Sequence, residues 1–406
     1  MVGNNSIVIF LLLLLVACSS SERSTGSPDE MYRPQIHFSA DTGGISGPVA
    51  FPPPDEQNKD PKVFWYEEGK QWVMTRSTDN RMGIYTSPNQ EEWTYQSTFG
   101  KGIGSDEDMW EAVEIFQLTV EDENESKWIC LVNIEFAFSD EWATGYFTGH
   151  FDGVRFTPDR TEPFWLDHGK DFYAGRTSEL PDGRRILIGW MGNWAYADKL
   201  PVTQWQGALS LPRVLSLEKV NGNYLLVSTP VKELELLREE QVVLANIELA
   251  QNIEQEGLVD ITSNIPFSLL PSEVILRIKL EEQLGRLNFA EKFGIRFSNK
   301  EGEYIAAGYD YFSRRFYIDR RNATGAVISE TFAGIHILPF DIEGFQELDM
   351  RIILDKSSIE LFAMGGKAVM TDTFFPSSEF DRVTLYAENG KVSLANVSVT
   401  RLNPHK

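Results

Sequence analysis

From Pro34 to about Leu217 the chain is a succession of short runs rich in β-branched and aromatic residues, each cut off by turn residues. That punctuation leaves no room for long helices and commits the region to short antiparallel strands. Val63-Phe64-Trp65-Tyr66, the turn Glu67-Glu68-Gly69-Lys70 and Gln71-Trp72-Val73-Met74 form one expected hairpin. Gly145 to Phe151, the turn Asp152-Gly153 and Val154-Arg155-Phe156 form another. Arg184 to Trp190 is a further strand. Repeated short strands with aromatics suit propeller blades, although no exact repeat is visible. One short helix is expected over Val231–Val242, opened by Ser228-Thr229-Pro230 with proline in the first turn. It would serve as a connector spanning 228–246. The remainder, 247–406, is strand-rich again, with Asn389-Gly390 as a hairpin turn between Val383–Tyr386 and Val392–Leu394. The expectation is an all-β chain: a propeller-like domain over 31–227 and a C-terminal β-sandwich.

Charge narrows the partners. The net charge of -23 argues against nucleic acid and anionic membrane surfaces. It suits a neutral ligand such as a sugar without selecting one. All ten tryptophans fall between Trp65 and Trp205. Sugar sites pair aromatic platforms with carboxylates, so this concentration points to the first domain. Most of the ten are expected to be core residues. Trp110 and Trp194 are the candidates for site walls.

The N-terminus carries an address. Ile7 to Ala17 is an apolar run of eleven residues, too short to span a bilayer and of signal-peptide length. It ends Leu15-Val16-Ala17-Cys18, a sequence like a bacterial lipobox. The expectation is a signal peptide over 1–17 and a lipidated Cys18. A Ser/Gly/Pro-rich tether over 18–30 would follow, holding an exported lipoprotein at the cell envelope. An ordinary secretory signal is the alternative. Cys130 sits in a strand-like apolar run as an inert buried thiol. No intramolecular disulfide is expected.

Two short motifs carry chemistry. Glu111 lies in Asp108-Met109-Trp110-Glu111-Ala112-Val113, and Asp60 in Asn58-Lys59-Asp60-Pro61. A carboxylate in an aromatic setting can act as a proton donor, and one fixed before proline as an anion or hydrogen-bond acceptor. Facing carboxylates are the machinery of glycoside hydrolysis. Alone, a Trp-Glu pair is more often structural and an Asp-Pro more often a turn. Further segments follow in order: Leu166 to Ala174, Ile188 to Trp194, Trp205 to Arg213, and Leu354 to Phe362.

In that order and spacing these segments resemble the family 32 glycoside hydrolases, which include the invertases, levanases and inulinases acting on β-fructosides. The resemblance runs from about Tyr32 to Leu402. It implies a five-bladed β-propeller followed by a β-sandwich. It implies a retaining glycosidase acting on sucrose, levan or inulin, with Glu111 as acid/base and Asp60 orienting sugar hydroxyls. Lys59, Trp110, Asp171 and Trp194 would be substrate-binding. No cofactor or metal is implied.

One part of the pattern is missing. The family's nucleophile is an Asp in a Trp-Met-Asn-Asp-Pro-Asn-Gly motif, close after a start like Tyr32 to Phe38. Here the start is present and the motif is not. About 100 residues are lacking, or about two blades at roughly 45 residues each, so an incomplete propeller is expected. Asp41 is near the place in sequence, but its default role is a turn residue. The family's Arg-Asp-Pro is Lys59-Asp60-Pro61 here, and its Glu-Cys is Glu111-Ala112. The alternative function is therefore a non-catalytic carbohydrate-binding surface lipoprotein.

Overall fold

The computed structural model describes residues 31–38, 43–44, 60–78, 81–137, 139, 141–252, 256–280 and 288–405. Lys59, Asp41, Cys18 and the expected signal peptide and tether lie outside them.

Among the described residues, three antiparallel sheets build the first domain. The first joins Lys62–Tyr66, Gln71–Thr78, Arg81–Ser87 and Thr94–Phe99 in sequence order. The second is centred on Met109–Thr119, Ser126–Glu135 and Trp142–Phe151, and the third on Tyr173–Glu179, Arg185–Met191, Arg213–Val220 and Asn223–Pro230. Most consecutive strands pair because short turns let each run fold back on the last. These are three blades, as expected of a five-bladed plan short of two. Aromatics fill the space between the first two: Phe99 meets Phe147 and Phe156 edge-on at 5.2 and 4.9 Å. Cys130 is fully buried, and burial raises its thiol pKa well above the ordinary value, which keeps it an inert thiol.

The second domain is a sandwich of two six-stranded sheets. Strict alternation decides its faces. In Lys292–Ser298, Phe293, Ile295 and Phe297 are fully buried against the opposite sheet, while Lys292, Gly294 and Arg296 point outward.

Two expectations fail here. The helix over Val231–Val242 contracts to a 3-10 turn, Lys232–Leu237. From Arg238 to Ala250 the chain is already a sandwich strand, paired along its length with Lys391–Leu402. The β-branched Val242, Val243 and Ile247 favour that ladder over a helix, so the connector of 228–246 is mostly strand. The Asn389-Gly390 hairpin is also absent. Arg382–Glu388 and Lys391–Leu402 belong to different sheets, and the turn carries the chain across the sandwich. Gly390 has φ 147°, far from the value a two-residue hairpin turn of type I′ requires.

Buried charge fastens the two domains. Arg213, with no exposed surface, bonds Asp167 of the first domain at 2.9 Å and Glu360 of the sandwich at 2.5 Å. The segment 167–171 lies along the strand Ala368–Thr373, with His168 N donating to Val369 O and Asp171 N to Thr371 O. The fit has no slack: a Cβ on Gly169 would fall 1.9 Å from the Thr371 carbonyl oxygen. His37 sits between Asp355 (2.9 Å) and Glu360 (2.7 Å), with no side-chain exposure. Burial alone would lower its pKa. The hydrogen bonds and charges of the two carboxylates overcome that and push it up to about 9. Burial would raise the Glu360 pKa, but the Arg213 charge first, and then His37, hold it down to about 2.

A folded pKa above the unfolded value gives stability that is full below the unfolded value of 6.5 and lost as pH rises through about 9. We therefore expect Tm to fall between pH 7 and pH 9.5. His37→Gln should be less stable at pH 7 and show a shallower slope over that window. Calorimetric scans across the window check this, and parallel slopes in the two proteins would contradict it.

Candidate active site

Glu111 stands where the strand Met109–Thr119 breaks its pairing. The register with Ser126–Glu135 slips between Glu111 and Glu114, and Ala112 adopts φ 50°. A bulge re-aims side chains, and a non-glycine residue at positive φ persists only when its surroundings impose it. Here the bulge leaves Glu111 half-buried at the surface and Glu114 fully buried behind it. A second bulge faces it in the third blade, where the register slips between Tyr173 and Arg176 and Ala174 has φ 52°.

Asn133 ties the two bulges together. Its side chain has no exposure. Its Oδ1 accepts from Gly175 N at 2.9 Å and Thr144 Oγ1 at 2.6 Å. Its Nδ2 donates, over longer distances of 3.4–3.5 Å, to the carbonyls of Glu111, Ala112 and Gly175. Behind it, Glu114 accepts from Thr177 N at 2.8 Å and pairs with Lys62 at 3.1 Å, linking all three blades.

The two bulges bring the chemistry together. Tyr173 Oη donates to Glu111 Oε2 at 2.9 Å. Burial first, and then the charges of Glu111, Glu135 and Asp60, raise the Tyr173 pKa far above its ordinary value. Tyr173 therefore stays a protonated donor at any physiological pH, and it senses both sequence-predicted carboxylates. Asp60, itself at φ 53°, pairs with Arg176 Nη2 at 2.9 Å. The other nitrogen of that fork, Arg176 Nη1, is buried with no hydrogen-bond partner. On the other side Tyr173 pairs in register with Trp190. Trp194, 48% exposed, lies against Trp190 with ring centroids 4.6 Å apart. The buried Trp190 Nε1 is likewise unpartnered. The site thus offers a half-buried acid held by a phenol, a second carboxylate held by an arginine, unspent donors and an exposed indole. Among the described residues no cluster of metal-ligating side chains occurs.

Two sequence-predicted site residues are elsewhere. Trp110 is 2% exposed and packs against Phe99, Phe147 and Arg81. Successive residues of a strand face opposite sides, so Trp110 turns into the core as Glu111 turns out. Asp171 has no exposure. It accepts from Tyr196 Oη at 2.7 Å, Arg320 Nη1 at 2.5 Å and Thr373 N at 2.8 Å. It fastens the sandwich and does not reach sugar. Conversely, Tyr173, Arg176 and Asn133 were not singled out from sequence. Tyr173 lies within the segment Leu166–Ala174, while Arg176 and Asn133 lie outside every quoted segment, and the roles of all three arise from bulges that only the paired strands reveal.

Residues 35–230 match the glycosyl hydrolases family 32 N-terminal domain and residues 233–401 the glycosyl hydrolases family 32 C terminal. A levanase of Bacillus subtilis (strain 168) is 33% identical over 382 residues, covering 90% of this chain and 54% of the levanase. An extracellular exo-inulinase of Aspergillus awamori is 27% identical over 389 residues, covering 89% of this chain and 70% of the relative. Among solved structures, a β-fructofuranosidase from Schwanniomyces occidentalis complexed with fructosyl-erythritol superposes with TM-score 0.73 at 26% identity, over 86% of this chain and 70% of that one. The chain spans about half the length of the Bacillus subtilis levanase and 37% of a levanase from Bacillus sp. (strain L7).

Proposed function

The chain belongs to glycosyl hydrolase family 32, and from that premise we propose that its first domain is a β-fructoside site of the sucrose, levan or inulin type. The observation that carries this reading is the meeting of Asp60 and Glu111 around Tyr173, beside an exposed indole. Glu111 protonates the glycosidic oxygen. Tyr173 occupies its Oε2 at 2.9 Å and so leaves Oε1 to carry the proton. Asp60, fixed by Arg176, accepts from sugar hydroxyls. Trp194 gives an apolar face to the ring.

The retaining mechanism needs a second carboxylate about 5–5.5 Å from the acid, under the anomeric carbon. The Asn-Asp-Pro segment that would supply it is missing from the sequence. The chain as written is thus a sugar site with an acid and without the nucleophile motif. Release of fructose from sucrose, levan and inulin, by this chain and by Glu111→Gln, tests the reading. Activity in the variant equal to the parent's removes Glu111 from the chemistry.

We also propose a membrane anchor at Cys18, motivated by Leu15-Val16-Ala17-Cys18 after an apolar run. A diacyl group and an amide-linked chain suffice for stable anchoring. The mass of the mature N-terminus should show lipidated Cys18 as residue one of the processed chain. An unmodified Cys18 or a different start contradicts the anchor.

A further inference from the structure

The first blade has two apolar faces. On one, Phe64, Val73, Met82, Ile84 and Phe99 pack with Trp110 and Phe147 of the second blade. The opposite face holds a row paired across all four strands: Val63 with Met74, Met74 with Tyr85, and Tyr85 with Tyr95. Beside it runs a second row, Trp65, Trp72 and Ser87. Trp65 meets Trp72 edge-on at 5.3 Å, and Tyr85 meets Tyr95 at 5.5 Å. Val63, Trp65 and Tyr95 are 38%, 41% and 54% exposed, while Trp72, Met74 and Tyr85 are half-buried. A closed propeller would set another blade on this flank.

A contiguous apolar patch of this kind marks an interaction surface. None of Val63, Trp65, Trp72, Met74, Tyr85 and Tyr95 is charged. The cation at their border, Arg76, lies over the Tyr85 ring at 4.8 Å. The chain's net charge of -23 makes copies repel over most of their surface. On this flank they can approach without setting carboxylate against carboxylate. Four strands about 4.8 Å apart, with some six residues each at about 3.3 Å, give a flat area of roughly 400 Å². Side chains roughen it, so two such flanks together would bury on the order of 1,000 Å², the lower bound for a specific interface.

We propose that this flank pairs with the same flank of a second copy, the two sheets packing face to face about a two-fold axis parallel to the strands. The order of residues suits it. Along the first row the side chains run from aliphatic, Val63 and Met74, to aromatic, Tyr85 and Tyr95. An axis between the second and third strands reverses the row. Val63 of one copy then lies over Tyr95 of the other, and Met74 over Tyr85. Every aliphatic side chain meets a ring, and the thioether sulfur of Met74 gains an aromatic contact. In the second row the bulky Trp72 falls over Ser87, which is small and 2% exposed. The flank is thus complementary to itself, as a two-fold interface requires, and needs no partner of different sequence.

Sedimentation equilibrium of the chain from Ser19 to Lys406 tests the pairing. That length keeps every described element and omits the apolar run and Cys18, so neither can drive association. The mass should rise from one copy toward two across roughly micromolar concentrations, as suits an interface of this size. Val63→Lys and Tyr95→Glu each put a charge into the interface and should weaken association at least tenfold. Both positions are exposed, so Tm should not change. The double variant should regain association, because the axis sets each new ammonium against a new carboxylate of the other copy. If a charged variant lowers Tm, Val63→Thr or Tyr95→Ser replaces it, with weaker association again expected. A single-copy mass at every concentration overturns the proposal. So does association that no single variant weakens, or a double variant as weak as the singles.

Discussion

Glu111→Gln should cut hydrolysis of sucrose or levan by roughly 10²–10⁴-fold in any active form of this chain, the range a positioned general acid contributes. Binding of the same sugar should change little. The amide keeps the size of the side chain and can still accept the Tyr173 hydroxyl at its single carbonyl oxygen, Oε1. It cannot deliver a proton to the departing oxygen. A proton donor lowers the transition state more than the bound ground state, so the loss falls on kcat rather than KM. The geometry supports this split. Tyr173 already satisfies one carboxyl oxygen at 2.9 Å, and Asn133 fixes the backbone on either side of the bulge. A loss confined to KM would make Glu111 a binding group and move the proton donor elsewhere.

Much of the fold was legible because β-structure writes its period into sequence. The turn at Glu67–Lys70 told the first two strands apart before any pairing was known. What failed were the joints. A proline-led segment after Pro230 makes only a six-residue 3-10 helix, and the next strand takes over by pairing along the sandwich edge. Asn389-Gly390 has hairpin chemistry, yet its flanking strands go to two sheets. Local propensity cannot see which sheet will bury a strand's apolar face.

The site divides the same way. Glu111 and Asp60 carried motifs and converge on one tyrosine. Trp110 was misplaced because adjacency in a strand means opposite faces, not company. Asp171 sits in a motif segment, but that segment spends its carboxylates, Asp167 and Asp171, on Arg213 and Arg320 at the domain junction. Breaking such a buried pair leaves an uncompensated charge, so residues of this kind are held by stability as firmly as others are by chemistry.

In the proposed function this chain keeps the sugar site and the acid but not the nucleophile motif. With Glu111 alone, the glycosidic oxygen can be protonated, but no carboxylate attacks the opposite face to form a fructosyl intermediate. Asp60 is committed to Arg176 at 2.9 Å, and the proposed function assigns it to sugar hydroxyls rather than the anomeric carbon. Removing a nucleophile costs many orders of magnitude in related hydrolytic machinery. The decisive measurement is fructose release from sucrose, levan and inulin by the chain from Ser19 to Lys406, beside the same chain with the Asn-Asp-Pro segment restored between Phe38 and Asp60. The restored protein should be faster by at least on the order of 10³-fold. Comparable rates in the two would show that a nucleophile exists elsewhere in the chain, with Asp41 the first to examine.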